Sequence, residues 1–116
     1  MAGARMRRVD EAVRAVLSDV ISKELQDPRV GFVTVTGVKT SPDLRYSRVF
    51  VSVLGDDDTR AASLDGLRSA TGFLQARVAQ ALRLKHTPSL TFDYDDSVDR
   101  SLRISQLIRE EIPEDE

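Results

Sequence analysis

The sequence contains no cysteine and a single histidine, His86, so it offers few side chains that bind metals or act as nucleophiles. Without cysteine the chain forms no disulfide bond and no thiolate metal site, and nothing in it indicates an oxidising compartment. It also lacks the glycine-rich P-loop that cradles nucleotide phosphates. We therefore expect a protein that is not an enzyme and that folds without a metal ion or cofactor.

Long hydrophobic runs are absent as well. No apolar stretch approaches the roughly 20 residues of a membrane-spanning helix. The first eight residues, MAGARMRR, contain no hydrophobic segment of a signal peptide. We expect no membrane contact and a cytoplasmic location. With 116 residues, of which 41% are hydrophobic, the chain fits one compact domain and has no room for a second.

The charge is unevenly distributed, although the net charge is only −2. Residues 1–54 carry a net charge of +3 and residues 60–92 carry +4, whereas residues 93–116 carry −6. Fourteen of the 17 cations are arginine, whose planar guanidinium suits phosphate recognition. This segregation indicates a positive face of the kind that binds nucleic acid. Codon usage in a GC-rich genome is the alternative explanation for the arginine content.

The rest of the chain is organised around a helical pattern at residues 63–82. Its apolar positions recur every three or four residues, at Leu64, Leu67, Thr71, Leu74, Val78 and Leu82. Gly72 gives the backbone freedom to bend, so the pattern predicts a helix–kink–helix centred on Ala70, Thr71 and Gly72. The outward side is smooth at Gly72, Ala76 and Ala79 and is edged by Arg68 and Arg83, which would let a phosphate backbone approach. A tolerated surface glycine beside ordinary alanines is the alternative.

The remaining pattern predicts a helix, two antiparallel strands, a third strand and a last helix. The first helix ends before Asp27-Pro28, the strands cover residues 30–40, 45–54 and 90–94, and the last helix covers residues 96–113. A strand that returns to its sheet through two helices prefers a right-handed crossover. We therefore expect the third strand to be parallel to the second, with helices on one face of the sheet and the other face open to a partner.

Arginines are concentrated at the beginning of the first helix, where cations oppose the helix dipole. They are Arg5, Arg7, Arg8 and Arg14. Because they do not serve helix stability, we expect Arg5, Arg7 and Arg8 to add affinity for a partner from a mobile chain start, without sequence preference. A disordered start that only improves solubility is the alternative.

The element order resembles the type II KH domain, and short motifs from residue 7 to residue 108 resemble the bacterial ribosome-binding factor A family. The motifs are Asp27-Pro28-Arg29, Val33-Thr34-Val35-Thr36, Ser41-Pro42-Asp43-Leu44, Ala70-Thr71-Gly72-Phe73-Leu74, Pro88-Ser89-Leu90-Thr91-Phe92, Asp95-Asp96-Ser97 and Arg103-Ile104. In that family an Ala-x-Gly kink replaces the Gly-x-x-Gly loop of ordinary KH domains, and this sequence has no Gly-x-x-Gly. It departs from the family at Ser47, where alanine is frequent, and at Gln75, where arginine is common. The second departure weakens the expectation of a phosphate contact at position 75.

The resemblance implies a single α+β, type II KH-like domain over residues 5–112, followed by an acidic tail at residues 113–116 that we expect to be frayed. It also implies a monomeric, non-catalytic assembly factor that binds free small (30S) ribosomal subunits and 16S ribosomal RNA during late maturation and 5′-end processing. Ribosomal proteins and other assembly factors are the further partners it suggests, and growth in the cold is the physiological context. The candidate RNA-binding residues are Arg5, Arg7, Arg8, Arg68, Ala70, Gly72, Arg77, Arg83 and Lys85.

Two other interpretations stay open: a protein-interaction module that contacts ribosomal proteins, and a general KH-like RNA-binding protein. Salt dependence separates protein contact from RNA contact, because phosphate contacts weaken steeply with salt. Asp93, Asp95 and Asp96 could hold Mg²⁺. Their place between a strand and a helix has a simpler interpretation as capping and turn residues.

Overall fold

The protein is a three-stranded sheet with three helices on one face, in a computed structural model that describes residues 2–97 and 107–108. The elements in chain order are α1 (Ala2–Lys23), β1 (Val33–Thr40), β2 (Tyr46–Val53), α2 (Asp57–Ser69), α3 (Thr71–Leu82) and β3 (Ser89–Tyr94). The predicted α+β class and element order are confirmed. Apart from Asp96, Ser97, Leu107 and Ile108, the predicted last helix and acidic tail lie outside the described residues.

The sheet has the strand order β1-β2-β3. β1 is antiparallel to β2, and β3 is parallel to β2, as the crossover argument predicted. The β1–β2 register shifts between Val35 and Gly37, which marks a β-bulge in β1. Because β2 and β3 are parallel, the connector that leads into β3 lies beside the turn that leads into β2.

The core lies between one face of the sheet and the helices. Along β2 every second residue is buried, from Ser47 to Val53, while Tyr46 and Arg48 face outward. The helices contribute fully buried leucines, Leu17, Leu67 and Leu74, and burial of each stabilises the fold by about 2 kcal/mol. The remaining core residues are Val13, Val20, Ile21, Val35, Val49, Val51, Val78, Leu90 and Phe92.

Ser47 is the buried serine at a position where the resemblance suggested alanine. Its hydroxyl lies 2.9 Å from the hydroxyl of Thr40, its neighbour across the β1–β2 pair. Because each hydroxyl provides the other with a hydrogen-bond partner, the serine is accommodated in the core without an unsatisfied polar group.

β1 begins at Val33, three residues later than predicted, because the preceding segment turns and packs on α2. The Val30 amide donates to the carbonyl of Asp27 (2.9 Å), and the Gly31 amide donates to the hydroxyl of Ser63 (3.1 Å). Gly66 of α2 lies beneath this segment, and a Cβ at that position would be 2.6 Å from Cγ2 of Val30. The close approach of the segment to α2 therefore requires glycine at position 66.

α2 begins with a side-chain cap. Asp56 is the N-cap, and its Oδ1 accepts a hydrogen bond from the Thr59 amide (2.8 Å). Asp57 and Asp58 follow in the first turn, where negative charge interacts favourably with the helix dipole. Of the helices in the described part of the chain, none is long and apolar enough to cross a membrane.

Candidate nucleic-acid interface

The kink between α2 and α3 is centred on Ala70. With φ −93° and ψ 7°, Ala70 leaves the helical range, and its amide donates to the carbonyls of Gly66 and Leu67, both at 3.1 Å. The Thr71 hydroxyl donates to the Arg68 carbonyl (2.8 Å) and so occupies one of the free acceptors at the end of α2. The predicted helix–kink–helix is confirmed.

Gly72 is not the residue at which the helix breaks. It lies in the first turn of α3, it has no positive φ, and a Cβ there would meet nothing within 4 Å. The bend therefore does not depend on the conformational freedom of glycine at this position. Of the predicted outward stripe, Gly72 and Ala76 are exposed, as is Arg83 at its edge, whereas Ala79 is half-buried.

One side chain on each side of the kink contacts the outer edge of β3. Nη2 of Arg68 donates to the Phe92 carbonyl (2.8 Å), and Oε1 of Gln75 accepts a hydrogen bond from the Leu90 amide (2.9 Å). These side chains occupy the positions where a fourth strand would form hydrogen bonds. Gln75, expected from the sequence only to weaken a phosphate contact, thus has a structural partner.

The other cations near the kink also bind within the protein. Nη2 of Arg77 lies 2.7 Å from Oε2 of Glu24 and connects α3 to the end of α1. Nη2 of Arg29 lies 2.7 Å from Oδ2 of Asp27. The Arg29 side chain, followed by its backbone amide, lowers the pKa of Asp27 from 3.8 to about 2. Arg77 and Arg29 are therefore paired with carboxylates, whereas Arg68 is held by a neutral backbone carbonyl and forms no ion pair with a described residue.

A shallow groove of about 400 Å³ lies between the kink and the loop that follows α1. Its lining residues are Leu25, Gln26, Asp27, Pro28, Ser69 and Ala70. Two motifs that are far apart in the sequence, Asp27-Pro28 and the Ala70 kink, thus meet in space.

A second region, which we call the hairpin end, contains cations that form no ion pair with a described residue. It comprises the first turns of α1, the turn at residues 41–45 and the connector at residues 83–88. The Thr40 amide donates to Oδ1 of Asp10 (2.8 Å), which fixes the start of α1 at this end. The Ser89 amide donates to the Arg45 carbonyl (2.8 Å), which fixes the connector there.

Arg83 and Lys85 are exposed in this connector. Arg83 ends α3 in the left-handed conformation, with φ 52° and ψ 44°. His86 lines a groove with Arg45 and Tyr46. Since three residues span at most about 10 Å, Arg83 lies close to the same groove.

Arg5, Arg7 and Arg8 lie on exposed positions of α1, which is helical from Ala2 onward. The predicted mobile start is therefore wrong for residues 2–10, because these residues continue the helix that packs on β1. Asp10 is only two to five residues along the helix from these arginines, so they extend the hairpin end. Arg14, by contrast, donates to Glu11 from Nε at 2.9 Å and 3.0 Å, and this contact lowers the pKa of Glu11.

The structure thus divides the predicted RNA-binding residues into two groups. Arg68, Ala70, Gly72 and Arg77 surround the kink, where both arginines bind other parts of the protein. The second group lies at the hairpin end and consists of Arg5, Arg7, Arg8, Arg83 and Lys85. These residues make no ion pair within residues 2–97, and neither do Lys39 and Arg45, which lie at the same end of the molecule. Sequence reasoning missed Lys39 and Arg45. The predicted parallel pairing of β2 and β3 was the signal that could have placed Arg45 beside Lys85.

Acidic residues in the last part of β3 and directly after it accept hydrogen bonds from neighbouring side chains and amides. Asp93 accepts from Nε of Arg48 (2.7 Å), and Asp95 accepts from the hydroxyl of Thr36 (2.7 Å) and from the Ser97 amide (2.9 Å). In the described part of the chain no three His, Cys, Asp or Glu side chains are placed to hold a metal ion.

Comparison with known proteins agrees with this architecture. The family model "Ribosome-binding factor A" matches residues 5–108. Ribosome-binding factor A of Anaeromyxobacter sp. (strain Fw109-5) is 51% identical over 108 residues, which are 92% of this chain and 88% of the relative.

Solved structures agree as well. A solution NMR structure of a Thermotoga maritima protein, described as a putative ribosome-binding factor A, has a TM-score of 0.72 and 33% identity, covering 80% of this chain and 89% of that one. A homology model of Thermus thermophilus ribosome-binding factor A, fitted into the cryo-EM map of a complex with the 30S subunit, has a TM-score of 0.63 and 26% identity, covering 75% of this chain and 91% of that one. The family match spans most of the chain, and this protein belongs to the ribosome-binding factor A family.

Proposed function

We propose that this protein is a non-catalytic assembly factor that binds free 30S subunits through 16S ribosomal RNA. It acts as a monomer in the cytoplasm during late 30S maturation and assists processing of the 16S 5′ end. The observation that carries this proposal is the hairpin end, where exposed cations from α1, the β1–β2 turn and the α3–β3 connector form no ion pair with the described residues. Membership of the family and the Thermus relative in complex with a 30S subunit support it.

The charge arrangement suits an RNA backbone. Each phosphate that a cation neutralises releases counterions, and the logarithm of the binding constant then falls with the logarithm of salt by roughly 0.7 to 0.9 per contact. Of the carboxylates at the hairpin end, Asp10 accepts from the Thr40 amide and Asp43 accepts from the Ser41 hydroxyl and the Arg45 amide. Neither acid forms an ion pair with Arg5, Arg8, Arg83 or Lys85, so these cations are available to a polyanion.

Arg83 gives this argument a specific residue. An arginine at φ 52° strains the backbone by about 1 kcal/mol relative to glycine, which is the common residue at this helix position. A strained, exposed cation without an ion pair is expected where the charge is used by a partner.

Replacement of Arg83 separates stability from binding. Arg83→Gly should raise the free energy of unfolding by up to about 1 kcal/mol, because glycine relieves the positive φ. The same variant should weaken 30S binding and reduce its salt slope by about one. Thermal melting and titration of 30S subunits at several salt concentrations measure both effects. Unchanged 30S affinity in Arg83→Gly would remove Arg83 from the binding surface.

Sedimentation tests the function as a whole. The tagged protein is layered with purified 30S subunits, 50S subunits and 70S ribosomes on separate gradients. We expect it to migrate with free 30S subunits and to remain at the top of the gradient with the other two. Failure to migrate with 30S subunits at low salt would refute the proposal.

An exposed apolar surface favours a second candidate function, contact with a ribosomal protein. Phe32 is 80% exposed and Leu54 is 75% exposed, and the Leu54 amide donates to the Phe32 carbonyl (3.1 Å), so they are neighbours beyond the Val33–Val53 pair. This surface lies at the end of the β1–β2 pair opposite the hairpin turn. Phe32→Ser should weaken 30S binding without changing its salt slope if a protein occupies this surface.

A further inference from the structure

The open face of the sheet carries two aromatic side chains in different environments. Phe50 is half-buried, and the guanidinium of Arg48 lies over its ring at 5.0 Å from the centroid. Arg48 is held in turn by Asp93, at 2.7 Å between Nε and Oδ2. Tyr46 has no such cover and is 63% exposed. The Phe50 ring is therefore covered by Arg48, whereas the Tyr46 ring is exposed to solvent.

Small neighbours keep the Tyr46 ring open. Across β2–β3 its register partner is Ser89, and on the other side the Ser41 amide donates to the Tyr46 carbonyl (2.8 Å). Neither serine is long enough to cover an aromatic ring. Tyr46 is consequently the exposed aromatic of the sheet at the hairpin end.

Two shallow grooves meet at Tyr46 and Ser89. One, of about 340 Å³, is lined by Lys39, Pro42, Arg48 and Thr91 among others. The other, of about 360 Å³, is lined by Arg45, His86 and Thr87. Lys39 and Arg45, one in each groove, make no ion pair with any described residue. Tyr46 is thus flanked by one available cation on each side.

We propose that Tyr46 is a stacking site for an unpaired base of single-stranded RNA, with Lys39 and Arg45 placed to contact the phosphates on either side of that base. An exposed aromatic ring between cations is the arrangement by which proteins bind single strands, since every base has a face that can stack. The phosphates require positive charge, which the flanking grooves supply. This site rests on the proposed binding of 16S ribosomal RNA and names the form of RNA that it takes.

The tyrosines themselves provide the measurement. The chain contains two tyrosines and no tryptophan, so Tyr94→Phe leaves Tyr46 as the only tyrosine fluorophore and Tyr46→Phe leaves only Tyr94. Each full-length variant is titrated with a single-stranded oligouridylate, with a blunt RNA duplex of equal phosphate number and with inorganic polyphosphate. We expect the oligouridylate to quench Tyr46 in Tyr94→Phe and to bind Tyr46→Phe with unchanged affinity but little quenching. The duplex and polyphosphate should not quench Tyr46.

Tyr46→Leu removes the ring and keeps an apolar side chain. Its affinity for the oligouridylate, measured by anisotropy of a labelled strand, should fall roughly 5- to 150-fold, because stacking of one base is lost. The salt slope should not change, since no phosphate contact is removed. The matched control is Phe32→Leu, which loses an exposed aromatic ring at the opposite end of the β1–β2 pair and should bind as the native protein does.

The outcomes separate this site from the function. Tyr46→Leu with native affinity for the oligouridylate overturns the stacking site, and so does equal quenching by duplex and single strand, which indicates contact with the backbone alone. If Tyr46→Leu weakens 30S binding but no RNA quenches Tyr46, a protein occupies this face and the site is wrong. Sedimentation of the native protein with 30S subunits tests the function independently of these results.

Discussion

At the scale of single residues, the two helical glycines of the central stretch have opposite surroundings. Gly66 is buried against Val30, whereas the Cβ position of Gly72 is open. Gly72, at which the sequence predicted the kink, is therefore not required by the packing, whereas Gly66 is. Helical periodicity predicts that Gly66 lies within a helix, but it does not indicate that the segment at residues 27–31 packs against this glycine.

Alanine substitution at these positions should show the difference. Gly66→Ala should lower the free energy of unfolding by about 1–3 kcal/mol, because its methyl group would overlap the short, stiff side chain of Val30. Gly72→Ala, the matched control in the adjoining helix, should raise it by up to about 1 kcal/mol through helix propensity. Urea denaturation of both variants measures the two effects. Equal destabilisation of the two would contradict the assignment of the close contact to Gly66.

Asp27 provides a prediction about pH. Its pKa falls from 3.8 to about 2 in the folded protein because the Arg29 side chain and amide stabilise the carboxylate. A lowered folded pKa means that the carboxylate stabilises the fold fully above pH 3.8 and that this contribution disappears as the pH falls towards 2. The stability difference between the native protein and Asp27→Asn should therefore shrink over this pH range. Urea denaturation midpoints of both proteins at each pH measure this difference. In an Arg29→Gln background Asp27→Asn should show a much weaker pH dependence.

At the scale of elements, β3 is the strand whose outer edge is covered by side chains instead of another strand. Arg68 and Gln75 project from the two helices on either side of the kink and bond to the Phe92 carbonyl and the Leu90 amide. The kink therefore has a structural consequence, because it lets both helices present a side chain to the same strand. Such covering also protects the edge from pairing with another chain.

Removal of one covering side chain should weaken β3. Gln75→Leu leaves the Leu90 amide without its acceptor and should cost about 1–2 kcal/mol of unfolding free energy. Amide hydrogen exchange at Leu90 should accelerate as well. Gln80→Leu is the matched control, since Gln80 is exposed on the same helix, and it should change stability by about 0.5 kcal/mol or less. Unchanged exchange at Leu90 in Gln75→Leu would show that the Gln75 contact does not hold the edge.

At the scale of the whole molecule, the distribution of engaged and available cations matters more than the net charge of −2. Near the kink Arg77 pairs with a carboxylate and Arg68 donates to a backbone carbonyl, whereas the cations of the hairpin end form no ion pair with a described residue. Within α1 the contrast is direct: Arg14 and Lys23 pair with Glu11 and Asp19, whereas Arg7 and Arg8 have no ion pair among the described residues.

Two double variants of the same helix test this distribution. Arg7→Gln with Arg8→Gln should lower the salt slope of 30S binding by up to about two, because up to two phosphate contacts are lost. Arg14→Gln with Lys23→Gln removes the same charge and should change the slope by less than one. Titrations of 30S subunits between low and moderate salt measure both slopes. Equal slopes in the two double variants would mean that net charge, rather than the hairpin end, governs binding.

The sequence alone determined the element order, the buried faces, the antiparallel and parallel pairings, the position of the kink and the family. These features depend on local periodicity, turn residues and chain connectivity, which neighbouring residues encode. Only the tertiary structure decided which arginines are available. A guanidinium on a long side chain can reach several acceptors on other elements. Arg68 donates to the Phe92 carbonyl and Arg77 pairs with Glu24, and no residue spacing in the sequence specifies these partners. The predicted parallel pairing of β3 with β2 implies that Arg45 lies beside the connector that contains Lys85. The exposure of the Tyr46 ring, in contrast, depends on its serine neighbours in the folded sheet.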